Sequence, residues 1–195
     1  SVLNWSAETP WLYTLKVESF DRKGRTEETS VSVGFRDVCI KGGQLLVNGM
    51  PVLIKGADRH EMNPYKGYVV SEADMIQDIL IMKQLNINAV RTSHYPNQPY
   101  FYELCDEYGL YMIAENNLET HGLWCYPGGW GNTPKLVPGD KPEWLEVLLD
   151  RASSLVESKK NHPAILIWSC GNESYGGENI YKMSQHMKKL DDTRL

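Results

Sequence analysis

The chain has 195 residues, 42% of them hydrophobic and 23% charged, with a formal net charge of -5 and a pI near 5.6. This length suffices for one large domain or one and a half small ones, and the composition is typical of a folded protein. Its longest basic runs, Lys159-Lys160 and Lys188-Lys189, are too short for a nucleic-acid or anionic-membrane surface. We therefore expect no nucleic-acid and no membrane partner, and a neutral or cationic ligand.

Membrane-spanning runs, signal patterns and cysteine spacing bear on the cellular location of the chain. No apolar run approaches the ~20 residues needed to cross a bilayer, and the first residues lack a charged-then-apolar signal pattern. Four cysteines, Cys39, Cys105, Cys125 and Cys170, have irregular spacing that favours reduced, mostly buried thiols over disulfides or a zinc site. We expect a cytoplasmic location, with periplasmic or secreted locations left open.

The first part of the chain has the period of β-structure. Residues 12–20 and 29–35 alternate between apolar and polar on either side of a turn at 21–24, which predicts an antiparallel hairpin. Two or three strands bury too little to fold independently. The hairpin is therefore either an appendage or the tail of a β-sandwich.

From residue 52 onward, strand-like and helix-like patterns alternate. Glycine-containing turns first predict a small hairpin of residues 44–47 with 51–54. Predicted strands follow at 52–56, 87–91, 110–114 and 165–168, and predicted helices at 72–85, 98–108, 142–160 and 179–190. Ser71 and Asp74 have capping-box spacing for the first helix, and Asp140 and Glu143 are placed to cap the third.

Such an alternation predicts a parallel sheet with right-handed crossovers. A closed (β/α)8 barrel needs eight units and ~250 residues, so four units amount to half of one. The alternative is a small open doubly wound sheet, although no glycine-rich phosphate loop follows the first strand.

Polar residues gather just after each predicted strand, in the segments 58–61, 91–96, 115–122 and 172–174. In a parallel barrel these strand ends share one rim, so the side chains converge on one pocket. A single histidine such as His60 or His94 is more often structural, and Arg59 and Arg91 could equally form ion pairs beneath the rim. The four clusters together favour an active site.

Glu173 is the most specific of these residues. The apolar run 164–168 reads as a strand buried on both faces, so Glu173 emerges near its carboxyl end. With Trp168 as an apolar wall and a small-residue turn beside it, the position suits a general acid. The alternative is a solvated glutamate at a strand end.

Glu119 and His121 stand two residues apart, so an extended segment points both side chains the same way. With Glu173 as a third ligand, the set suits Mg²⁺ or Mn²⁺. The alternative is a simple Glu–His hydrogen bond. Aromatic side chains in the following glycine-rich loop could stack on a sugar or merely pack the loop, namely Trp124, Tyr126 and Trp130.

Several motifs in this order and spacing carry a family resemblance. They are Gly56-Ala57-Asp58-Arg59-His60-Glu61, Arg91-Thr92-Ser93-His94-Tyr95-Pro96, Cys105-Asp106-Glu107-Tyr108-Gly109-Leu110, Glu119-Thr120-His121-Gly122 and Asn161-His162-Pro163 through Asn172-Glu173-Ser174. The chain resembles glycoside hydrolase family two, closest to its large bacterial β-galactosidases. The segment 5–13 is similar to the last part of the immunoglobulin-like sandwich that precedes the barrel there.

The resemblance implies a fold and an activity. Residues 1–38 would be the C-terminal part of an immunoglobulin-like β-sandwich, and residues 39–195 the N-terminal half of a (β/α)8 glycosidase barrel. The implied reaction is the retaining hydrolysis of terminal β-D-galactosides by two carboxyl groups about 5 Å apart.

The resemblance also implies a role for each matching residue. Glu173 would be the acid/base catalyst, and Asn172 would bond the sugar hydroxyl next to the anomeric carbon. His60 and His94 would contact the sugar, and Arg91 would orient the nucleophilic carboxylate. Mg²⁺, or Mn²⁺, would be held by Glu119, His121 and Glu173.

Some features differ from the family pattern. The family's nucleophilic glutamate would lie beyond Leu195, so we expect this chain to be an inactive fragment of an enzyme that is homo-oligomeric at full length. Asp58 stands where asparagine is common, and Ala114 and Asn116 depart from the pattern that precedes the metal pair. Alternatives are a β-glucuronidase or β-mannosidase of the same family, or a non-catalytic carbohydrate-binding or structural fragment.

Overall fold

A computed structural model describes residues 2–125 and 136–195, apart from the side chains at 124 and 125. Within these residues the strands are β1 Tyr13–Asp21, β2 Gly24–Val33, β3 Val38–Lys41, β4 Gln44–Val47, β5 Met50–Pro51, β6 Gly56–Arg59, β7 Ala89–Thr92, β8 Tyr111–Glu115 and β9 Ile165–Ser169. The α-helices are α1 Glu72–Gln84, α2 Pro99–Tyr108, α3 Leu145–Lys159 and α4 Glu178–Leu190, and 3-10 turns span His121–Cys125 and Pro142–Trp144.

The sheet that positions the site consists of β6, β7, β8 and β9 in sequential order, each pair parallel. A helix follows each strand in the chain, which confirms the predicted succession of βα units. Because all these strands run the same way, their carboxyl ends lie along one edge of the sheet.

The predicted first strand was placed too early. The parallel strand is Gly56–Arg59 rather than residues 52–56, and Leu53 is 74% exposed. The segment before it is held by Asn88, whose side chain donates to the Leu53 carbonyl and accepts from the Lys55 N–H. The small hairpin is confirmed, but its second strand, β5, spans Met50–Pro51 rather than residues 51–54, and β3 is a third strand that the sequence pattern did not predict.

Local signals explain the helix ends. The capping box of Ser71 and Asp74 at the start of α1 is confirmed. Gly109 ends α2 with a φ of 73°, and a Cβ there would lie 2.4 Å from the Ala7 carbonyl oxygen, so only glycine fits.

The predicted cap of α3 was wrong. A 3-10 turn at Pro142–Trp144 leads into that helix, and Trp144 occupies its N-cap position. Within the described residues, no side-chain hydrogen bond caps this end of α3. Asp140 instead accepts the Glu178 N–H at 2.6 Å, at the first turn of α4. It can do so because the chain before α3 runs beside the start of α4, where Pro138 forms a bridge to Tyr175.

The core lies between the parallel sheet and its helices. It includes, among others, Met75, Ile79, Phe101, Leu104, Met112, Leu148, Leu155, Ile165 and Met183. The segment before β1 joins it through Trp5, which is fully buried and donates from Nε1 to the Asp106 carbonyl at 2.8 Å. None of the helices in the described ranges is long and apolar enough to span a membrane.

The β1–β2 hairpin is confirmed and largely exposed. One face carries the half-exposed apolar side chains Leu15, Val17 and Val31, and the other carries ion pairs such as Lys16–Glu28. Its assignment to a β-sandwich, with a boundary at residue 38, stays a prediction.

Candidate active site

The predicted rim residues converge at the carboxyl ends of the parallel strands. His60 follows β6, Arg91 lies near the end of β7, Glu115 ends β8, and Asn172 and Glu173 follow β9. Hydrogen bonds connect the ends of β7, β8 and β9 directly, so residues distant in sequence form one polar cluster.

Glu115 is the centre of this cluster, and its side chain is fully buried. Its Oε2 accepts from Arg91 Nε at 2.6 Å and from Ser169 Oγ at 2.7 Å, while its Oε1 lies 2.7 Å from His94 Nδ1. Its backbone N–H donates to Thr92 Oγ1 at 2.9 Å. A buried carboxylate thus joins β7 to β9 and is compensated by charge and hydrogen bonds.

Arg91 extends the cluster towards the surface. Besides Glu115, its guanidinium donates to Asn172 Oδ1 at 2.9 Å and to Asp58 Oδ1 at 3.2 Å. Burial opposes the charged form, but the hydrogen bonds and charges of Glu115 and Asp58 outweigh it and raise the pKa of Arg91. Arg91 is therefore a permanent cation that fixes the orientation of Asn172.

A second cluster contains the predicted metal ligands. Asn172 Nδ2 donates to Glu119 Oε1 at 3.0 Å, and the backbones of these residues form a parallel bridge. His121 Nδ1 contacts Glu173 Oε2 directly, with both side chains about half exposed. Ligand atoms of Glu119, His121 and Glu173 lie within 4.8 Å of one another.

The turn after β9 is tightly constrained. Gly171 has a φ of 147°, and a Cβ there would lie 2.6 Å from the Leu118 carbonyl oxygen. That carbonyl accepts the Asn172 N–H at 2.8 Å. Glu173 itself has a φ of 36°, in the left-handed region that few non-glycine residues adopt. The backbone therefore directs Asn172 and Glu173 towards Glu119 and His121.

Aromatic side chains border the clusters. The rings of His60 and His94 meet edge to face with centroids 5.2 Å apart, and His60 also lies 6.4 Å from the Tyr95 ring. His60, His94, Tyr95 and Glu119 line an open cavity of about 800 Å³, with Trp144 among the other lining residues. Its size and its mixture of rings and polar groups suit a small polar ligand such as a sugar.

One expectation from the sequence is corrected. Trp168 is not a wall beside Glu173, because its Nε1 donates to Asp191 Oδ2 at 2.9 Å on the helix side of β9. For Arg59 the structure agrees with one of the two predicted alternatives, an ion pair beneath the rim: its guanidinium lies 4.0 Å from the Phe101 ring and its Nε bonds Asp78.

Other expectations stay untested or were incomplete. Tyr126, Trp130 and the side chain of Trp124, predicted to stack on a sugar, lie outside the described residues. The sequence reading assigned no role to Glu115, although a glutamate that ends an apolar strand is a signal for a buried, paired carboxylate.

Comparison with known proteins decides the family. The model of the glycosyl hydrolases family 2 TIM barrel domain matches residues 38–195. The chain belongs to glycoside hydrolase family 2. A TIM barrel domain, rather than the open doubly wound sheet, is therefore the fold to which its parallel sheet belongs.

Relatives of this family 2 chain are similar over its whole length. It is 53% identical over 197 residues to a β-galactosidase of Priestia megaterium, covering 100% of this chain and 19% of that protein. It is 50% identical to a β-galactosidase of Streptococcus thermophilus, covering 97% and 18% respectively. The chain thus spans about a fifth of the length of the curated relatives it matches.

Solved structures of the family share its fold. A β-D-glucuronidase from Dictyoglomus thermophilum superposes with a TM-score of 0.82 at 26% identity, covering 98% of this chain and 33% of that one. A β-galacturonidase from Eisenbergiella tayi bound to galacturonate gives a TM-score of 0.80 at 30% identity, covering 99% and 33%.

Proposed function

We propose that this family 2 chain carries the acid/base half of the active site of a retaining β-galactosidase. The observation that supports this most strongly is the convergence of Glu173, Asn172 and Arg91 at the carboxyl ends of β7 and β9, beside a cavity bordered by His60 and His94. About 50% identity to β-galactosidases along the chain supports the same substrate class.

In this proposal Glu173 moves the proton. It protonates the glycosidic oxygen as the leaving group departs, and as a carboxylate it then takes a proton from the attacking water. Its half-exposed position gives both leaving group and water access to it. Asn172, held by Arg91, donates a hydrogen bond to the hydroxyl next to the anomeric carbon, and His60 and His94 bind the sugar from the cavity side.

The donor set of Glu119, His121 and Glu173 fits Mg²⁺, with Mn²⁺ as the alternative. Two carboxylates and one imidazole are an oxygen-rich set, and ligand atoms within 4.8 Å are close to the spacing that metal–oxygen distances of about 2.1 Å require. When bound, the cation would supply positive charge that neutralises the clustered carboxylates and orients Glu173.

Charge favours a neutral sugar over a uronide. A bound divalent cation would offset Glu119 and Glu173, but Asp58 still lies at the exposed rim, and Arg91 already contacts two carboxylates. A substrate carboxylate would add like charge to this rim. The uronidase neighbours, at 26 to 30% identity, support the shared fold more than the substrate.

The second carboxyl group is proposed to come from a longer enzyme. The described sheet has half the strands of a closed barrel, and the chain spans about a fifth of its relatives. We therefore expect the 195-residue chain not to hydrolyse an aryl β-galactoside. Hydrolysis by the pure chain that disappears in Glu173→Gln would contradict this.

The substrate proposal is tested on the longer enzyme. We expect kcat/KM for an aryl β-galactoside to exceed that for the matching β-glucuronide and β-mannoside. For an alkyl β-galactoside, whose leaving group needs a full proton, kcat/KM should fall by about 10²-fold or more in Glu173→Gln. The matched control is Glu178→Gln, an exposed glutamate five residues further along, which should leave kcat/KM unchanged. Full activity of Glu173→Gln would refute the assignment.

The metal proposal is tested by calorimetry with Mg²⁺. Binding should be present in the longer enzyme, weaken by about 10- to 100-fold in His121→Ala, and be unaffected by His186→Ala. His186 is a suitable control because it bonds Ser153 between α3 and α4. Equal Mg²⁺ affinity in all three proteins would exclude this site.

A further inference from the structure

Glu115 has contacts that none of the roles described above requires. Its side chain is 0% exposed. Arg91 on β7, Ser169 on β9 and His94 in the turn after β7 bind its two oxygens at 2.6 to 2.7 Å. We infer that Glu115 is a positioning residue that orients Arg91 and fixes the tautomer of His94 for sugar binding, an inference that rests on the proposed function.

The tautomer follows from the chemistry of the contact. An ionised carboxylate only accepts hydrogen bonds, so His94 Nδ1, 2.7 Å from Oε1, carries a proton and donates it. In the neutral form of the ring, Nε2 then has no proton, and it is the nitrogen left for a ligand in the cavity that His94 lines. His94 is thereby set to accept a hydrogen bond from a sugar hydroxyl.

Through Arg91, Glu115 also orients Asn172, the residue beside Glu173. Arg91 Nε and Ser169 Oγ both donate to Glu115 Oε2. The two outer nitrogens of Arg91 are then directed to Asn172 and Asp58. Without the carboxylate, Arg91 would keep only partners at the rim. Asn172, which bonds through its Oδ1 to Arg91, would lose its fixed orientation.

Glu115→Gln preserves the shape and removes the charge. Arg91 can only donate, so it requires the amide oxygen at the position of Oε2, and the amide NH₂ must then face His94 Nδ1. That nitrogen then has to accept, and the proton moves to His94 Nε2. The hydrogen-bond character that His94 shows to the sugar is reversed.

The test measures kcat/KM of the longer enzyme for an aryl β-galactoside. We expect a loss of about 10- to 100-fold in Glu115→Gln, as for other partners that orient binding groups, and a smaller loss in Glu115→Asp, which keeps the charge. In a His94→Phe background the loss caused by Glu115→Gln should shrink, because part of it acts through His94. A purely structural role would give the same loss in both backgrounds.

Asp106→Asn is the matched control. Asp106 is also a buried carboxylate 2.6 Å from a histidine Nδ1, that of His162, but it lies near the amino end of β9, where it binds the Ala164 N–H. This variant should lower stability and leave kcat/KM unchanged. Should Glu115→Gln not yield folded protein, Ser169→Ala removes one bond to the carboxylate and should lower kcat/KM about fivefold.

The inference is overturned if Glu115→Gln, or failing that Ser169→Ala, retains wild-type kcat/KM, or if the loss is the same with and without His94. Failure of the proposed function gives a different result, since Glu173→Gln would then keep full activity whatever the Glu115 variants do.

Discussion

Asp191 is predicted to make a large, pH-dependent contribution to stability. It follows α4 and is buried, with its side chain 4% exposed. Its Oδ2 accepts from Trp168 Nε1 at 2.9 Å and Arg194 Nη1 at 2.6 Å, and its Oδ1 accepts from the Thr193 N–H and hydroxyl. It therefore ties the C-terminal segment to β9, the strand that leads to Asn172 and Glu173.

The magnitude follows from the pKa of Asp191. Burial would raise this pKa, but the hydrogen bonds from Thr193 and the charge of Arg194 outweigh it and lower the pKa from 3.8 to about 2. Since one pKa unit corresponds to about 1.4 kcal/mol, ionised Asp191 stabilises the fold by about 2 kcal/mol. Because the folded-state pKa is the lower one, this stabilisation is complete above pH about 5 and is lost as the pH falls from about 4 through 2.

The assay is urea unfolding of the 195-residue chain between pH 2 and 7, below the concentration at which it associates. Asp191→Asn cannot ionise, so the stability difference between wild type and variant should shrink by about 2 kcal/mol between pH 7 and pH 2. Asp192→Asn, at the exposed neighbouring position, is the control and should change little. A difference independent of pH would refute the argument.

Three further outcomes follow from the packing. Gly171→Ala should lower the free energy of unfolding by more than about 2 kcal/mol and displace the turn that carries Glu173. The control is Gly176→Ala, which should be tolerated because its Cβ would meet nothing within 4 Å. Equal melting temperatures of the two variants would contradict this. Asp140→Ala should cost about 1 kcal/mol through loss of the Glu178 cap, and slow amide exchange at Glu178 in the variant would contradict that. The isolated chain should self-associate in analytical ultracentrifugation, because β6 is an edge strand of the described parallel sheet and the β1–β2 hairpin exposes apolar side chains. A monodisperse monomer at high concentration that unfolds cooperatively would be inconsistent with this.

Periodicity predicted the fold well where strands and helices have distinct patterns. The order of βα units and the positions of α1, α2 and α4 agree closely with the structure. The first barrel strand was misplaced because residues 52–54 are as apolar as a buried strand, while the actual position of this segment depends on Asn88, more than 30 residues away. Asp140 has the same difficulty, since a capping residue does not reveal which helix it caps.

The site was predicted from residues that follow strands, and those residues do converge. What the sequence could not provide is the direction of each side chain. Trp168 lies in β9 close to Glu173 along the chain but points to the other side of the sheet, towards Asp191. The role of Glu115 depends on partners 21 to 54 residues away, so only their meeting in three dimensions reveals it.

The central claim, that Glu173 is the acid/base catalyst, is tested most directly by the dependence of Glu173→Gln on the leaving group in the longer enzyme. A dinitrophenyl β-galactoside needs little protonation to depart, whereas an alkyl β-galactoside needs a full proton. We predict that kcat/KM falls by about 10²- to 10⁴-fold for the alkyl substrate and by less than about 10-fold for the dinitrophenyl substrate. An equal fall for both substrates would mean that Glu173 acts on binding or folding, and would contradict the account.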